Sequence, residues 1–201
     1  MKENISKEDL IKKLKDAYKN RPLLIGLSGI GGSGKSTLAN YLEIFLGTEN
    51  VTVVRADDFI LNRLKGVSDN WHSFDWNRLI DQVLKPISNG KSEIGYDVYD
   101  WDKDALNGTR SFKATKYVIV EGVGLFQDKM DKFFDVKIWI DCPFKIALER
   151  GKIRDKKLGS DHDSLWDETW SQNDKLFMEK YSPADKADFV VANEQPSSWI
   201  V

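Results

Sequence analysis

Cysteine occurs once in the 201 residues, histidine twice and proline five times. A lone cysteine, Cys142, excludes an internal disulfide, and its place at the end of an apolar run reads as a buried thiol. His72 and His162 stand far apart and isolated, which argues against a histidine metal centre. No apolar run approaches the ~18 residues of a membrane span. The opening Met1-Lys2-Glu3-Asn4-Ile5-Ser6 is too polar for a signal peptide, so the expectation is a cytoplasmic chain without a membrane partner. Charge of one sign is missing as well. Thirty Lys+Arg against 32 Asp+Glu leave a net charge of −2, with no basic run or basic-aromatic stripe to engage nucleic acid. Two motifs are absent: the N-K-x-D of guanine-reading GTPases and the L-S-G-G-Q of transporter-type ATPases.

What is present is a phosphate-binding loop, Gly29-Ile30-Gly31-Gly32-Ser33-Gly34-Lys35-Ser36, with the spacing G-x-x-x-x-G-K-[ST]. An apolar run, Leu23 to Leu27, precedes it, and Thr37 to Leu42 has helical spacing behind it. That strand–loop–helix context gives the motif its meaning. Glycines let backbone N–H groups turn inward around phosphate oxygens, and the helix N-terminus adds unpaired donors. Gly29, Gly31, Gly32, Ser33, Gly34, Lys35, Ser36 and Thr37 are therefore the expected nucleotide contacts. Lys35 would reach the β- and γ-phosphates of ATP, and the Ser36 hydroxyl would ligate Mg²⁺.

The remaining pattern alternates strands and helices. Ser6 and Asp9 mark a helix start, with Leu10, Ile11, Leu14 and Tyr18 on one face. Strands are expected at 22–28, 51–54, 117–120, 136–140 and 189–191, and helices at 35–47, 76–87, 143–154 and from about 161 to 181. This argues for an α/β, three-layer fold with a mostly parallel, doubly wound sheet. One domain, 1–201, is expected, with an extra N-terminal helix in 1–21. An acceptor-side region at about 62–115 and a small helical lid at about 150–165 complete it. Asn107-Gly108 between polar-aromatic segments suggests the turn of a β-hairpin.

Ligands in such sheets bind beyond the carboxyl ends of the strands. Asp57, Glu121 and Asp141 fall there. A helix cap is the simpler reading for Asp141. Asp57 and Glu121 each follow an apolar strand, where a metal at Ser36 would draw a carboxylate. Asp57 is the candidate base toward an alcohol, adjacent Asp58 its competitor, and Glu121 the metal or water-shell ligand. Arg150 and Arg154 share a helix face and suit charge developing on a transferring phosphoryl group, with salt bridges to Glu149 or Asp155 as the simpler alternative. Lys156 and Lys157 read equally as solvated charge or as cations over a nucleotide. Tyr99 and Trp101 point to one side of a strand, as an aromatic wall or as ordinary packing. Trp166 and Trp170, four apart, are expected to pack the final helix.

These segments resemble the uridine kinase family of phosphate-loop kinases, which includes phosphoribulokinases, pantothenate kinases and nicotinamide riboside kinases. The resemblance rests on Ser28 to Thr37, Asp57-Asp58-Phe59, Val120-Glu121-Gly122, Arg150, Arg154-Asp155, Tyr181-Ser182-Pro183 and Ala187 to Val191, in the family's order. It implies an ATP- and Mg²⁺-dependent kinase of a small alcohol, a nucleoside first among them, with Asp57 as base and Glu121 assisting Mg²⁺. It also implies that Asp69, within Asp69 to Asp75, and the Tyr99-Asp100-Trp101 segment meet the acceptor, and that Arg150 and Arg154 serve the phosphates. The lid segment Lys156 to Asp161 lacks the family's arginines, Asp104 stands near the place of a base-contacting histidine, and the stretch holding His72 lacks a proline. Pantothenate, a sugar phosphate, nicotinamide riboside or glycerate stay open as acceptors, as does a nucleotide-dependent switch. Assembly is equally open, a homo-oligomer included.

Overall fold

The computed structural model describes residues 4–61 and 66–194. The ends of the expected domain, 1–3 and 195–201, and positions 62–65 of the expected acceptor-side region lie outside the described residues.

The sheet grows from apolar runs that do not alternate, the mark of strands buried on both faces. Strands β1 (Leu23–Gly29) and β5 (Tyr117–Gly122) are buried at every position and pair in parallel, Leu23 opposite Tyr117. With β2 (Val51–Arg55), β6 (Val136–Asp141) and β7 (Phe189–Ala192) they form a five-stranded sheet of order β2-β5-β1-β6-β7, parallel throughout. Helices α1 (Lys7–Ala17) and α2 (Lys35–Leu46) cover one face, setting Leu10, Leu14, Leu38 and Leu42 against Ile25 and Ile119. Ser6 caps α1 as its sequence suggests, accepting the Asp9 N–H at 3.1 Å.

The opposite face is covered by two compound helices and three simpler ones. The first runs through α3 (Trp76–Leu79), a π-helical stretch Ile80–Leu84 and α4 (Lys85–Ser88). Next come α5 (Asp128–Asp131) and α6 (Phe144–Lys157). The second compound helix runs through α7 (Asp163–Leu165), a π-helical stretch Trp166–Trp170 and α8 (Ser171–Tyr181), before α9 (Pro183–Lys186) leads to β7. Leu79, Val83, Phe126, Met130 and Phe177 fill the core on this side. The three-layer, doubly wound α/β fold expected from the pattern is the one observed.

Strands β3 (Glu93–Asp100) and β4 (Ala105–Lys113) make the separate antiparallel hairpin, but its turn is not Asn107-Gly108. The chain reverses at Trp101 to Asp104, with Asp104 at φ 49°. Asn107 and Gly108 instead lie inside β4, where the pairing passes from Asp97↔Thr109 to Tyr99↔Leu106. Gly108, at φ 95°, absorbs the extra residue as a bulge, a second use of the same left-handed freedom. Asp141 departs as well. It ends β6, and Pro143 rather than an Asp side chain precedes α6, with no side-chain cap.

Candidate active site

The phosphate loop leaves β1 at Gly29 and enters α2 at Lys35, so it opens at the carboxyl edge of the sheet. Gly32 and Gly34 take φ of 75° and 103°. A Cβ on Gly32 would stand 2.0 Å from the Ala147 carbonyl oxygen, and α6 cannot yield it space cheaply. Gly32→Ala is therefore expected to lower stability by at least the roughly 1–3 kcal/mol of a strained left-handed residue, as a urea titration would measure. The loop holds its lysine inward: Lys35 Nζ donates to the carbonyls of Gly29 at 3.1 Å and Ile30 at 2.8 Å. Burial pulls the Lys35 ammonium below its ordinary range, while Glu121, Asp174 and Asp57 oppose the shift.

Beside the loop lies a cleft of about 630 Å³. Gly31, Gly32, Gly34, Lys35, Ser36 and Thr37 line its floor, together with Asp57 and Glu121. Ser33 is buried just beneath, and Gly29 lies behind it. The Ser36 hydroxyl donates to Glu121 Oε1 at 3.0 Å, which places two hard oxygen donors side by side. Burial raises the Glu121 carboxyl, with Lys35 opposing. The protein around Asp57 raises its carboxyl too, and Lys35 and Arg154 pull it back.

The neighbouring aspartates take different directions. Asp57 opens onto the cleft, whereas buried Asp58 turns away, accepting from the Tyr96 hydroxyl at 3.1 Å and Arg110 Nη1 at 2.6 Å. Beneath them, buried Arg78 donates to the carbonyls of Asp58, Ile60 and Asp97 at 3.2, 3.0 and 2.5 Å, tying the turn Ala56–Phe59 to the hairpin. Removing such a donor strands buried acceptors, at about 1–3 kcal/mol each.

Arg150 and Arg154 line the opposite wall. Arg150 Nη1 donates to the Asn193 carbonyl at 3.2 Å, and its Nη2 is buried without a partner among the described residues. Arg154 does take the expected simple partner, bonding Asp155 at 2.8 Å, yet it remains in the cleft wall. Asp155 also accepts the Trp166 indole N–H at 2.8 Å and pairs with His162 at 3.2 Å. Lys156 is bound to Asp163 at 2.6 Å. Trp166 packs as expected, against Gly151 and Gly31, and with Trp170 it also faces the cleft.

The cleft also has apolar lining: Ile60, Trp71, Phe74, Trp101 and Val123, with Ser73 among them. Trp101 stands there 43% exposed, braced edge-on by Tyr99 at 5.5 Å between ring centroids. Tyr99 itself is buried outside the lining and bonded to Asp104. Asp69 lies elsewhere. It faces the surface, ion-paired to Lys180 at 2.8 Å, because its segment turns Trp71 and Phe74 inward instead. Three residues of the site have no counterpart in the sequence reading. Asn193 donates to the Ser33 carbonyl at 2.7 Å, and its signal was its position just after a strand. Asp174 and Asn173 sit in mid-helix and gave none.

A model of the Phosphoribulokinase / Uridine kinase family matches residues 24–192. A uridine kinase from Clostridium novyi (strain NT) is 28% identical over 183 residues, 85% of this chain and 87% of its own length. One from Staphylococcus aureus (strain JH9) is 28% identical over 180 residues, covering 84% and 86%. A solved structure described as a possible uridine kinase from Bacillus stearothermophilus shares the fold, with a TM-score of 0.71 and 22% identity over 92% of this chain and 96% of that one. Its phosphate loop, its paired cleft acids and a family match over most of its length place this chain in the Phosphoribulokinase / Uridine kinase family, as a small-molecule kinase.

Proposed function

We propose that this kinase transfers the γ-phosphate of ATP, as its Mg²⁺ complex, to a hydroxyl of a nucleoside. The observation that carries the reading is one cleft with two kinds of lining. Lys35, Ser36, Glu121 and the two arginines supply the polar part, Trp71, Phe74 and Trp101 an aromatic part, and Asp57 lies in the same lining. Arg150 Nη2, buried without a partner among the described residues, suits a phosphate oxygen. Ser36 and Glu121 suit Mg²⁺, which keeps water and phosphate ligands and needs no large carboxylate cluster. Bound Mg²⁺ would neutralise charge on the β- and γ-phosphates.

The chain's own groups have distinct tasks. The loop N–H groups and Lys35 hold the phosphates, and Arg150 and Arg154 meet the charge that spreads over the transferring group. Asp57 accepts the proton of the attacking hydroxyl. Trp101, Trp71 and Phe74 provide faces for a planar base. The reading assigns the reaction to the cytoplasm, where ATP is supplied.

ADP release measured with ATP, Mg²⁺ and a panel of alcohols tests this. Uridine or another nucleoside should support turnover well above pantothenate, glycerate and sugar phosphates. Trp101→Ala should raise the nucleoside KM by roughly fivefold or more, from about 1–3 kcal/mol of base stacking. A panel in which no nucleoside stimulates ADP release removes the nucleoside reading.

A further inference from the structure

Helix α8 carries two adjacent polar side chains that are almost fully buried, Asn173 and Asp174. They reach in different directions. Asn173 Oδ1 accepts the Ser68 N–H at 2.6 Å, and Ser68 Oγ in turn accepts the His72 N–H at 3.0 Å. Asp174 Oδ2 accepts the Gly31 N–H at 2.8 Å. Further along, Lys180 holds Asp69. One helix thus grips the segment that supplies Trp71 and Phe74 to the cleft and, one residue on, the outer turn of the phosphate loop. Gly31 is closely packed between Trp166 and Asp174. A Cβ there would lie 2.7 Å from the Trp166 ring on one side and 3.4 Å from the Asp174 carboxylate on the other.

We propose that Asp174 is a positioning residue for phosphoryl transfer: its carboxylate fixes the outer turn of the phosphate loop, through Gly31, to the helix that also carries the acceptor-side segment. The proposal rests on the kinase reading. A carboxylate is an expensive choice for this place, since burial disfavours its charge, and an apolar residue would pack there without that cost. What the apolar residue could not do is hold an N–H whose position sets the rest of the loop. Lys35 and the loop donors act on the phosphates only while that frame stays put, and displacements near 1 Å can cost about a hundredfold in rate.

The groups facing the carboxylate are few: the Gly31 N–H from the loop, the Lys35 ammonium from α2, and the Trp71 indole N–H, which approaches without reaching hydrogen-bond geometry. Burial lifts the Asp174 carboxyl to about 7, against the pull of Gly31, Lys35 and Trp71. Protonation leaves one oxygen to accept the Gly31 N–H but removes the charge and turns the other oxygen into an O–H, so the hold on the loop weakens without being lost.

The test uses the full chain with Asp174→Asn and Asp174→Ala, reading kcat and KM with ATP and uridine from pH 5.5 to 9, and the binding of a non-hydrolysable ATP analogue with Mg²⁺ by calorimetry. Asp174→Ala should lose roughly 10- to 100-fold in kcat with a much smaller change in uridine KM. Asp174→Asn keeps an oxygen on the Gly31 N–H and should recover kcat to within about threefold. Asp57 leaves an acid limb in every variant. Only the wild type should carry an additional limb near pH 7, no deeper than the roughly threefold by which Asn falls short. Wild-type kcat in Asp174→Ala, or Asp174→Asn no better than Ala, overturns the proposal. If Asp174→Ala does not fold, an acid limb in Asp174→Asn identical to wild type overturns it. A wild type inert toward uridine would sink the nucleoside reading alone. Asp174 is then judged by analogue affinity, expected to fall about tenfold in Ala and to hold within about threefold in Asn, and equal affinities would overturn it.

Discussion

Asp57→Asn should lower kcat by roughly 10²–10⁴-fold, the usual contribution of a positioned base, while leaving the affinity for MgATP nearly unchanged. The amide matches the carboxylate in shape but cannot take the hydroxyl proton. The structure makes this substitution informative because it separates the two aspartates. Asp58 is committed to Tyr96 and Arg110, so Asp58→Asn would loosen the hairpin beneath the cleft, whereas Asp57 has only the cleft before it. The pH dependence has a definite sign. The surrounding cleft walls raise the Asp57 carboxyl above its ordinary 3.8 although the side chain is exposed, so activity should fall as pH drops through that raised value and hold above it. Because the side chain is exposed, solvent screens most of that shift and ionised Asp57 costs little folding stability. Asp57→Asn should therefore melt no lower than wild type at pH 8. Single-turnover kinetics with calorimetry of MgATP binding decide the matter. Near-wild-type turnover in Asp57→Asn would remove it as the base.

Lys35→Met should be the other severe loss, roughly 10²–10³-fold in kcat for one electrostatic donor removed, with weaker MgATP binding besides. Methionine keeps the length of the side chain and gives up its charge. The burial that lowers the Lys35 ammonium also means that the empty protein bears a cost for holding it charged. Melting should thus change little, or rise, as activity collapses, even though the bonds to the Gly29 and Ile30 carbonyls are lost. A melting temperature that falls with the activity would place Lys35 in the fold rather than in the chemistry.

Where local pattern controls the outcome, the sequence was legible. Uninterrupted apolar runs became β1 and β5, Ser6 became a cap, and the phosphate loop, Asp57 and Glu121 meet because parallel strands end on one edge. Legibility failed where long-range packing chooses between uses of the same residue. Asn107-Gly108 has the freedom required for a turn and for a bulge, and hairpin register selected the bulge. Asp69 and Trp71 are two positions apart, and which one turns inward is decided by how Trp71 packs against Phe74 and Gly124, the latter over fifty residues away in the chain. Asp174 reads as an ordinary polar helix residue until α8 is laid against Gly31. No periodicity encodes that contact.

The π-helical stretch Trp166–Trp170 has a consequence for how this family can vary. A turn of five rather than four residues holds one residue more than a regular helix would, and every later side chain is rotated by that residue. Deleting one position there would turn α8 by about 100° relative to the helix before it. Asn173 and Asp174 would then leave their partners together, although neither had been altered. Chain length across those five residues, as much as the identity of any one of them, keeps the two halves of the cleft in register. Relatives that differ by a single residue in this stretch would have to fasten their phosphate loop by some other means.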